Sequence, residues 1–216
     1  MSEIMFDHVS KVLRGKSLLT DVSFSVNIGQ TVGFSGPNGS GKTLLLKTVL
    51  GFVRPNSGTV TVSGKRIRQD VMFASNVGFS FGTESLVLSL SAKKNLSLIT
   101  SVNTQTGKSR IATVINAVGL DYQDHRRVKD YSLGMKQRLS IACALIDDYP
   151  IIILDEPTNG LDKNGIVFLQ DTIRSLQNSH KTILLTSHDE SFLHEMCDNI
   201  YFVNEGRVTN DDAEEN

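Results

Sequence analysis

Apolar residues follow two different rhythms along this 216-residue chain. Between Ile4 and Phe34 they fall in short β-prone runs, VSFSV at 22–26 and TVGFS at 31–35, divided by the turn signals Arg14-Gly15 and Ile28-Gly29-Gln30. After a glycine-rich stretch at 36–41, residues 43–50 carry helix-favouring leucines, and Gly51 can end the helix in a left-handed conformation. Strand patterning returns at 59–62 and 77–81. The rhythm then changes. Ile111, Val114, Ile115 and Val118 recur at helical spacing, as do Leu139, Ala142, Leu145 and Ile146, so 91–146 reads as an inserted helical subdomain. Beyond it come the run IIIL at 151–154, a helix with Ile166, Leu169, Ile173 and Leu176 on one face, and TILLTS at 182–187. Branched apolar runs too short for helices, alternating with amphipathic helices, predict a mostly parallel sheet covered on both faces. Residues 199–203 and 206–208 suggest a final hairpin, and NDDAEEN an acidic, frayed tail.

Composition narrows the function classes. A hydrophobic share of 39% supports a sizeable core in one or two compact domains. With 22 Lys and Arg against 23 Asp and Glu, the formal net charge is -1, so bulk electrostatics give no reason to expect nucleic acid or an anionic membrane as partner. The basic cluster HRRVK at 125–129 has no interleaved aromatics and reads as a solvated face. Cys143 and Cys197 lack any metal-ligand spacing and read as ordinary thiols in a reducing compartment. The first residues show no basic flank leading into an apolar segment, and no apolar stretch approaches the ~18 residues that cross a bilayer. The expectation is a cytoplasmic protein whose membrane role, if it has one, needs a partner.

Chemistry enters with GPNGSGKT at 36–43, which matches the P-loop pattern GxxxxGK[ST] and lies between a strand and a helix as the mechanism requires. In the loop of Gly36, Pro37, Asn38, Gly39, Ser40 and Gly41, the glycines let successive backbone N–H groups turn towards one centre. Lys42 reaches terminal phosphates there, and Thr43 offers a hydroxyl to Mg²⁺. IIILDEP at 151–157 delivers Asp155 to the C-terminal edge of a buried strand, where open α/β sheets bind ligands and a carboxylate can hold Mg²⁺. Glu156 follows at the point where the backbone turns, free to accept a proton from an attacking water. SHD at 187–189 ends another apolar strand and brings His188 to the same edge, whereas the histidines at 8, 125, 180 and 194 read as surface residues.

With GPNGSGKT, YSLGMKQR, LDEPTNGLD and SHD in that order, the sequence resembles the ATP-binding cassette (ABC) ATPase family over nearly its full length. The resemblance implies a P-loop core with an antiparallel N-terminal β-subdomain and a helical subdomain at about 86–146, together a single nucleotide-binding domain over 1–216. It implies binding of ATP and Mg²⁺, and function as a head-to-tail dimer with a second nucleotide-binding subunit. By similarity, Gly39, Gly41, Lys42 and Thr43 cradle phosphate, Asp155 serves Mg²⁺, Glu156 polarises water and His188 senses the γ-phosphate. Asp162 belongs to the dimer-contacting loop. YSLGMKQR resembles the signature usually written LSGGQ, with Ser132 and Gly134 kept and Leu133 in place of the first glycine, and implies contact with the γ-phosphate bound by the other subunit. The string SLGMKQRL is similar to that of bacterial exporters of the antibiotic-peptide and bacteriocin-immunity type. Separate integral membrane permease subunits, and a position on the inner face of the cell membrane, are implied with it.

Two positions depart from the family pattern. Leu13 stands where an aromatic residue usually stacks on adenine, which predicts apolar contact and loose base selectivity. Gly82 aligns with the glutamine that touches Mg²⁺ and water and couples to the membrane partner; either Glu84 substitutes as a metal ligand or hydrolysis and coupling are weakened. Three functions follow: the ATPase subunit of a transporter, a soluble ABC protein acting on ribosomes or DNA, or an ATP-sensing module with little turnover. The second typically carries two cassettes or a long coiled-coil insertion, and this chain has neither.

Overall fold

A computed structural model describes residues 2–102 and 108–210. The strands are β1 (Ser2–Leu13), β2 (Lys16–Asn27), β3 (Thr31–Ser35), β4 (Ser57–Val62), β5 (Lys65–Arg66), β6 (Val77–Ser80), β7 (Ile151–Leu154), β8 (Thr182–Thr186), β9 (Asn199–Asn204) and β10 (Arg207–Asn210). The α-helices are α1 (Lys42–Val49), α2 (Ala92–Val102), α3 (Lys108–Ala117), α4 (Leu133–Leu145), α5 (Lys163–Asn178) and α6 (Glu190–Met196). Of the acidic tail, residues 211–216 lie outside the described residues.

Two sheets form. The first is antiparallel, in the order β2-β1-β4-β5. The second runs β10-β9-β3-β8-β7-β6 and is parallel except for the hairpin strand β10. Strands β3, β7 and β8 are buried along their whole length, as expected where helices cover both faces of a parallel sheet.

The N-terminal strands are longer than the sequence rhythm predicts, and the reason is a pair of bulges. Ile4 and Phe6 alternate inward and then the phase slips by one residue to Val9; on the neighbouring strand it slips between Leu19 and Val22. His8 and Asp21 take left-handed backbone at the two slips, with φ of 49 and 50°, and the His8 ring bonds the Asp21 carboxylate at 2.7 Å. What looks like the end of one strand and the start of another is one twelve-residue strand carrying a kink.

Helix α4 joins two hydrophobic clusters. Leu139, Ala142 and Ile146 pack with Leu96, Ile115 and Val128, while Ile141 and Ala144 pack with Ile152, Leu154 and Leu185. Being buried on nearly every side, it lacks the single apolar stripe of a surface helix. It also lies close against β6: a Cβ at Gly78 would run into the carbonyl of Ala144. The contact is reinforced by a buried Ser80–Ser140 hydroxyl pair at 2.6 Å and by Ser140 donating to the Gly82 carbonyl at 2.7 Å.

Candidate functional site

The loops after β3, β7 and β8 all leave the same edge of the sheet, and the predicted chemistry gathers there. After β3 the chain bends through Gly36 at φ 130°, where a Cβ would run into the carbonyl of Val203, so only glycine fits so tight a passage. The loop ends at Gly41, the N-cap of α1, whose own φ is 118°. This leaves the first amides of α1 without helical partners and concentrates positive potential in the hollow of the loop. Lys42, only 6% exposed, lies across that hollow and donates to the carbonyls of Gly36 at 2.6 Å and Pro37 at 3.2 Å.

Asp155 leaves β7 with its amide bonded to the Ser80 carbonyl at 2.9 Å. Its carboxylate accepts from the hydroxyl of Thr43 at 2.7 Å and from that of Thr186 at 2.6 Å. Glu156 follows in left-handed backbone, φ 47°, directly before Pro157. For a residue with a side chain this costs on the order of 1 kcal/mol or more, and the following proline favours extended backbone instead. The conformation is held from both sides. The Glu156 amide donates to Thr186 Oγ1 at 2.8 Å, and the buried side-chain amide of Gln137 donates to the Glu156 carbonyl at 3.3 Å and the Pro157 carbonyl at 3.2 Å.

The carboxylate thus turned lies between two cationic or protonatable groups. Glu156 Oε2 is 3.0 Å from His188 Nδ1, and Oε1 is 3.6 Å from Lys42 Nζ. Oε1 is buried yet accepts no hydrogen bond among the described residues. A buried carboxylate oxygen without a donor is ready for one from a water or substrate group.

An open cavity of about 760 Å³ runs along the P-loop, bounded by the loop itself, by Glu156, by Lys16, Ser17 and Leu18 at the start of β2, and by the β9–β10 turn at Glu205 and Gly206. A nucleotide triphosphate fits such a volume. Leu13 is not among the lining residues. It stands opposite Lys16 across the Arg14-Gly15 turn, 55% exposed. Glu84 lies in a short 3₁₀ helix, Gly82–Ser85, exposed and outside the cavity lining, and a Cβ at Gly82 would meet nothing within 4 Å.

Ser132 and Gly134 do not line the cavity either. Ser132 caps α4, its Oγ accepting from the Met135 amide at 3.2 Å. The loop after β7 runs beside the α4 N-terminus, where the Gly160 carbonyl would lie 3.3 Å from a Cβ at Gly134, while Ser132 and Leu133 stay exposed. Asp162 caps α5 by accepting from the Gly165 amide at 2.7 Å.

Two contributors escaped the sequence reading. Thr186 is a buried hydroxyl closing the apolar run of β8, and Gln137 sits on the face of α4 that also presents Ile141 and Ala144. In the sequence, the signal for Gln137 is a polar residue on the stripe that carries Ile141 and Ala144. The thiols of Cys143 and Cys197 are both pushed up to about 12 by burial and take no part in the site.

A parallel sheet delivering a P-loop lysine, a Thr–Asp oxygen pair and a second carboxylate to one edge defines a P-loop nucleoside triphosphatase. The chain belongs to the ABC transporter family, whose model matches residues 19–159, and it is an ATP-binding, ATP-hydrolysing subunit of that family. An uncharacterized ABC transporter ATP-binding protein of Bacillus subtilis is 32% identical over 201 residues, covering 93% of this chain and 92% of that one. A lantibiotic transport ATP-binding protein of Streptococcus pyogenes is 35% identical over 206 residues, covering 95% and 88%. Among solved structures, a dimeric ATP-binding cassette in a post-hydrolysis state with ADP and Pi superimposes with a TM-score of 0.84 at 22% identity, over 95% of this chain and 96% of that one. At that identity the likeness speaks for the fold.

Proposed function

We propose that this chain powers a bacterial exporter: two nucleotide-binding subunits close around ATP, hydrolyse it, and drive separate permease subunits in the membrane. The observation that carries the catalytic part is the placement of the Glu156 carboxylate at the P-loop, Oε2 on His188 and Oε1 ion-paired with Lys42 but accepting no hydrogen bond among the described residues. Lys42 exchanges the Gly36 and Pro37 carbonyls for terminal phosphate oxygens, which bear more charge. Glu156 accepts a proton from the attacking water, and His188 fixes the orientation of that carboxylate.

The residues fit Mg²⁺. Thr43 Oγ1 and Asp155 Oδ2 are hard oxygen donors 2.7 Å apart, and Mg²⁺ in phosphate sites is held by one or two protein oxygens with water and phosphate completing the shell. Among the described residues no group of three or more His, Cys, Asp or Glu forms a closed protein cage for a metal. Bound there, the ion would neutralise charge developing on the transferred phosphoryl group. Ser132 and Gly134, outside this chain's own cavity, serve the nucleotide of the second subunit through the N-terminus of α4.

The relatives named for lantibiotic transport and for Nod factor export support export. No helix among the described residues is long and apolar enough to cross a membrane, and in this proposal the pathway for cargo lies in the permease. A surface of suitable chemistry is present: Phe52, Met72, Phe73 and Phe79 are exposed, Phe52 packs edge-on against Phe73 and Phe79, and Arg68 stacks over Phe73.

The test is steady-state ATP hydrolysis by the full chain and by Glu156→Gln. A loss of about 100-fold or more is expected, since general-base catalysis contributes 10²–10⁴. Equal, slow rates in both would point instead to an ATP-sensing module.

A further inference from the structure

Glu156 occupies a backbone conformation that its own chemistry opposes, left-handed and immediately before a proline. Such a conformation persists only where surrounding groups hold it. Its amide is held by Thr186 from β8. Its carbonyl, and that of Pro157, are held by one side-chain amide, Gln137 Nε2, at 3.3 and 3.2 Å. Gln137 is 2% exposed, so these hydrogen bonds face no competition from water.

We infer that Gln137 is a positioning residue for hydrolysis: it locks the Glu156–Pro157 backbone so that the Glu156 carboxylate faces the P-loop. The inference rests on Glu156 being the general base. Gln137 belongs to α4, the helix that begins at Ser132. One rigid helix therefore presents its N-terminus outwards, towards the nucleotide of a second subunit, and a few residues further on grips the catalytic loop of its own chain. Displacement of α4 on engaging a partner's nucleotide would reach Glu156 directly through two hydrogen bonds. The Ser140 bond to the Gly82 carbonyl ties the same helix to the loop after β6, whereas Gln137 hydrogen-bonds the Glu156–Pro157 turn itself.

Three variants test this in steady-state ATP hydrolysis by the full chain, with kcat and KM measured separately. Gln137→Met keeps the size of the side chain and removes the donors. A fall in kcat of about ten-fold or more is expected, because small misplacements of a reacting group are costly, with KM for ATP within about two-fold of the original since no cavity-lining group has changed. Gln137→Glu sets a carboxyl against two carbonyl oxygens in a buried site. That carboxyl can donate only when protonated, and both burial and the facing carbonyls favour the protonated form. Its kcat relative to the unaltered chain should therefore climb as pH is lowered from about 8 to about 6. This pH arm also decides the matter if Gln137→Met does not fold. An unchanged kcat in Gln137→Met, a rise in KM with kcat intact, or a Gln137→Glu ratio that stays flat with pH would overturn the inference. Glu156→Gln separates the two claims: if it leaves kcat unchanged the general-base reading itself is wrong, whereas if it abolishes turnover and the Gln137 variants do not alter kcat, only the positioning role fails.

Discussion

Thr186→Val exchanges a hydroxyl for a methyl of nearly the same shape at a position with no solvent exposure. Two hydrogen bonds disappear together: Thr186 Oγ1 no longer donates to Asp155 Oδ1, and the Glu156 amide loses its acceptor. The bond to the carboxylate is worth about 1.5 kcal/mol net, and an amide left unpaired costs about as much again, giving a destabilisation of about 3 kcal/mol. For a chain of this length each kcal/mol moves Tm by about 2–4 °C, so a fall of about 6–12 °C is expected in a thermal melt without nucleotide. Thr186→Ser is the control. It keeps the hydroxyl and loses one buried methyl, at a cost of about 1 kcal/mol. If Thr186→Val melts within a degree or two of the unaltered chain, or above Thr186→Ser, then Thr186 is not what holds the Asp155–Glu156 turn, and the ordering of the site by β8 is wrong.

Other consequences can be checked separately. Ser132→Arg should leave ATP binding by the monomer intact while abolishing ATP-driven dimerisation in size-exclusion chromatography, since Ser132 lies outside the chain's own cavity. Glu84→Ala should leave turnover unchanged, because Glu84 is exposed and does not line the cavity; a loss would show that it serves the metal in the closed dimer, and Gly82→Gln measured beside it would report on coupling. With both thiols at about 12, only about one in 10,000 is thiolate at pH 8, so iodoacetamide should label the folded chain far more slowly than the urea-unfolded chain. Asp124 is held below its ordinary value of 3.8 by its hydrogen bonds with Arg126. A depressed carboxylate contributes stability that is present above the ordinary value and is lost as pH falls through the folded one. Asp124→Asn should therefore flatten the acid limb of the urea-midpoint profile below about pH 4 and lower the midpoint at neutral pH.

Much of the candidate site is legible because its chemistry is local. A glycine loop between strand and helix, an acidic pair ending a buried apolar run, and a histidine after the next run each carry their position with them. The structure brings Lys42, Thr43, Asp155, Glu156 and His188 together as those local signals imply. What the sequence hid was context. The slips at His8 and Asp21 broke an alternation that would otherwise announce two long strands, because a bulge shifts the phase of every residue after it. The stripe of Leu139, Ala142, Leu145 and Ile146 marks one face of α4, and the second buried face, on which Gln137 lies, carries only the weaker signal of Ile141 and Ala144. Leu13 stands opposite Lys16 across the two-residue turn at Arg14-Gly15, and Lys16, Ser17 and Leu18 form the cavity wall beside it. Nor does anything local mark Glu156 as left-handed, since that conformation is imposed by Thr186 and Gln137 from elements distant in sequence.

The central claim is that each hydrolytic site takes its P-loop and general base from one chain and its signature turn from another. Mixing two crippled chains tests it. Glu156→Gln has a sound signature and no base, Ser132→Ala has a sound base and a defective signature, and each alone should hydrolyse ATP poorly. In a mixed dimer one of the two sites unites the sound base with the sound signature. ATP hydrolysis by a one-to-one mixture should therefore exceed the mean of the two chains measured separately, and a rate equal to that mean, or a Ser132→Ala chain as active as the unaltered one, would contradict the shared site.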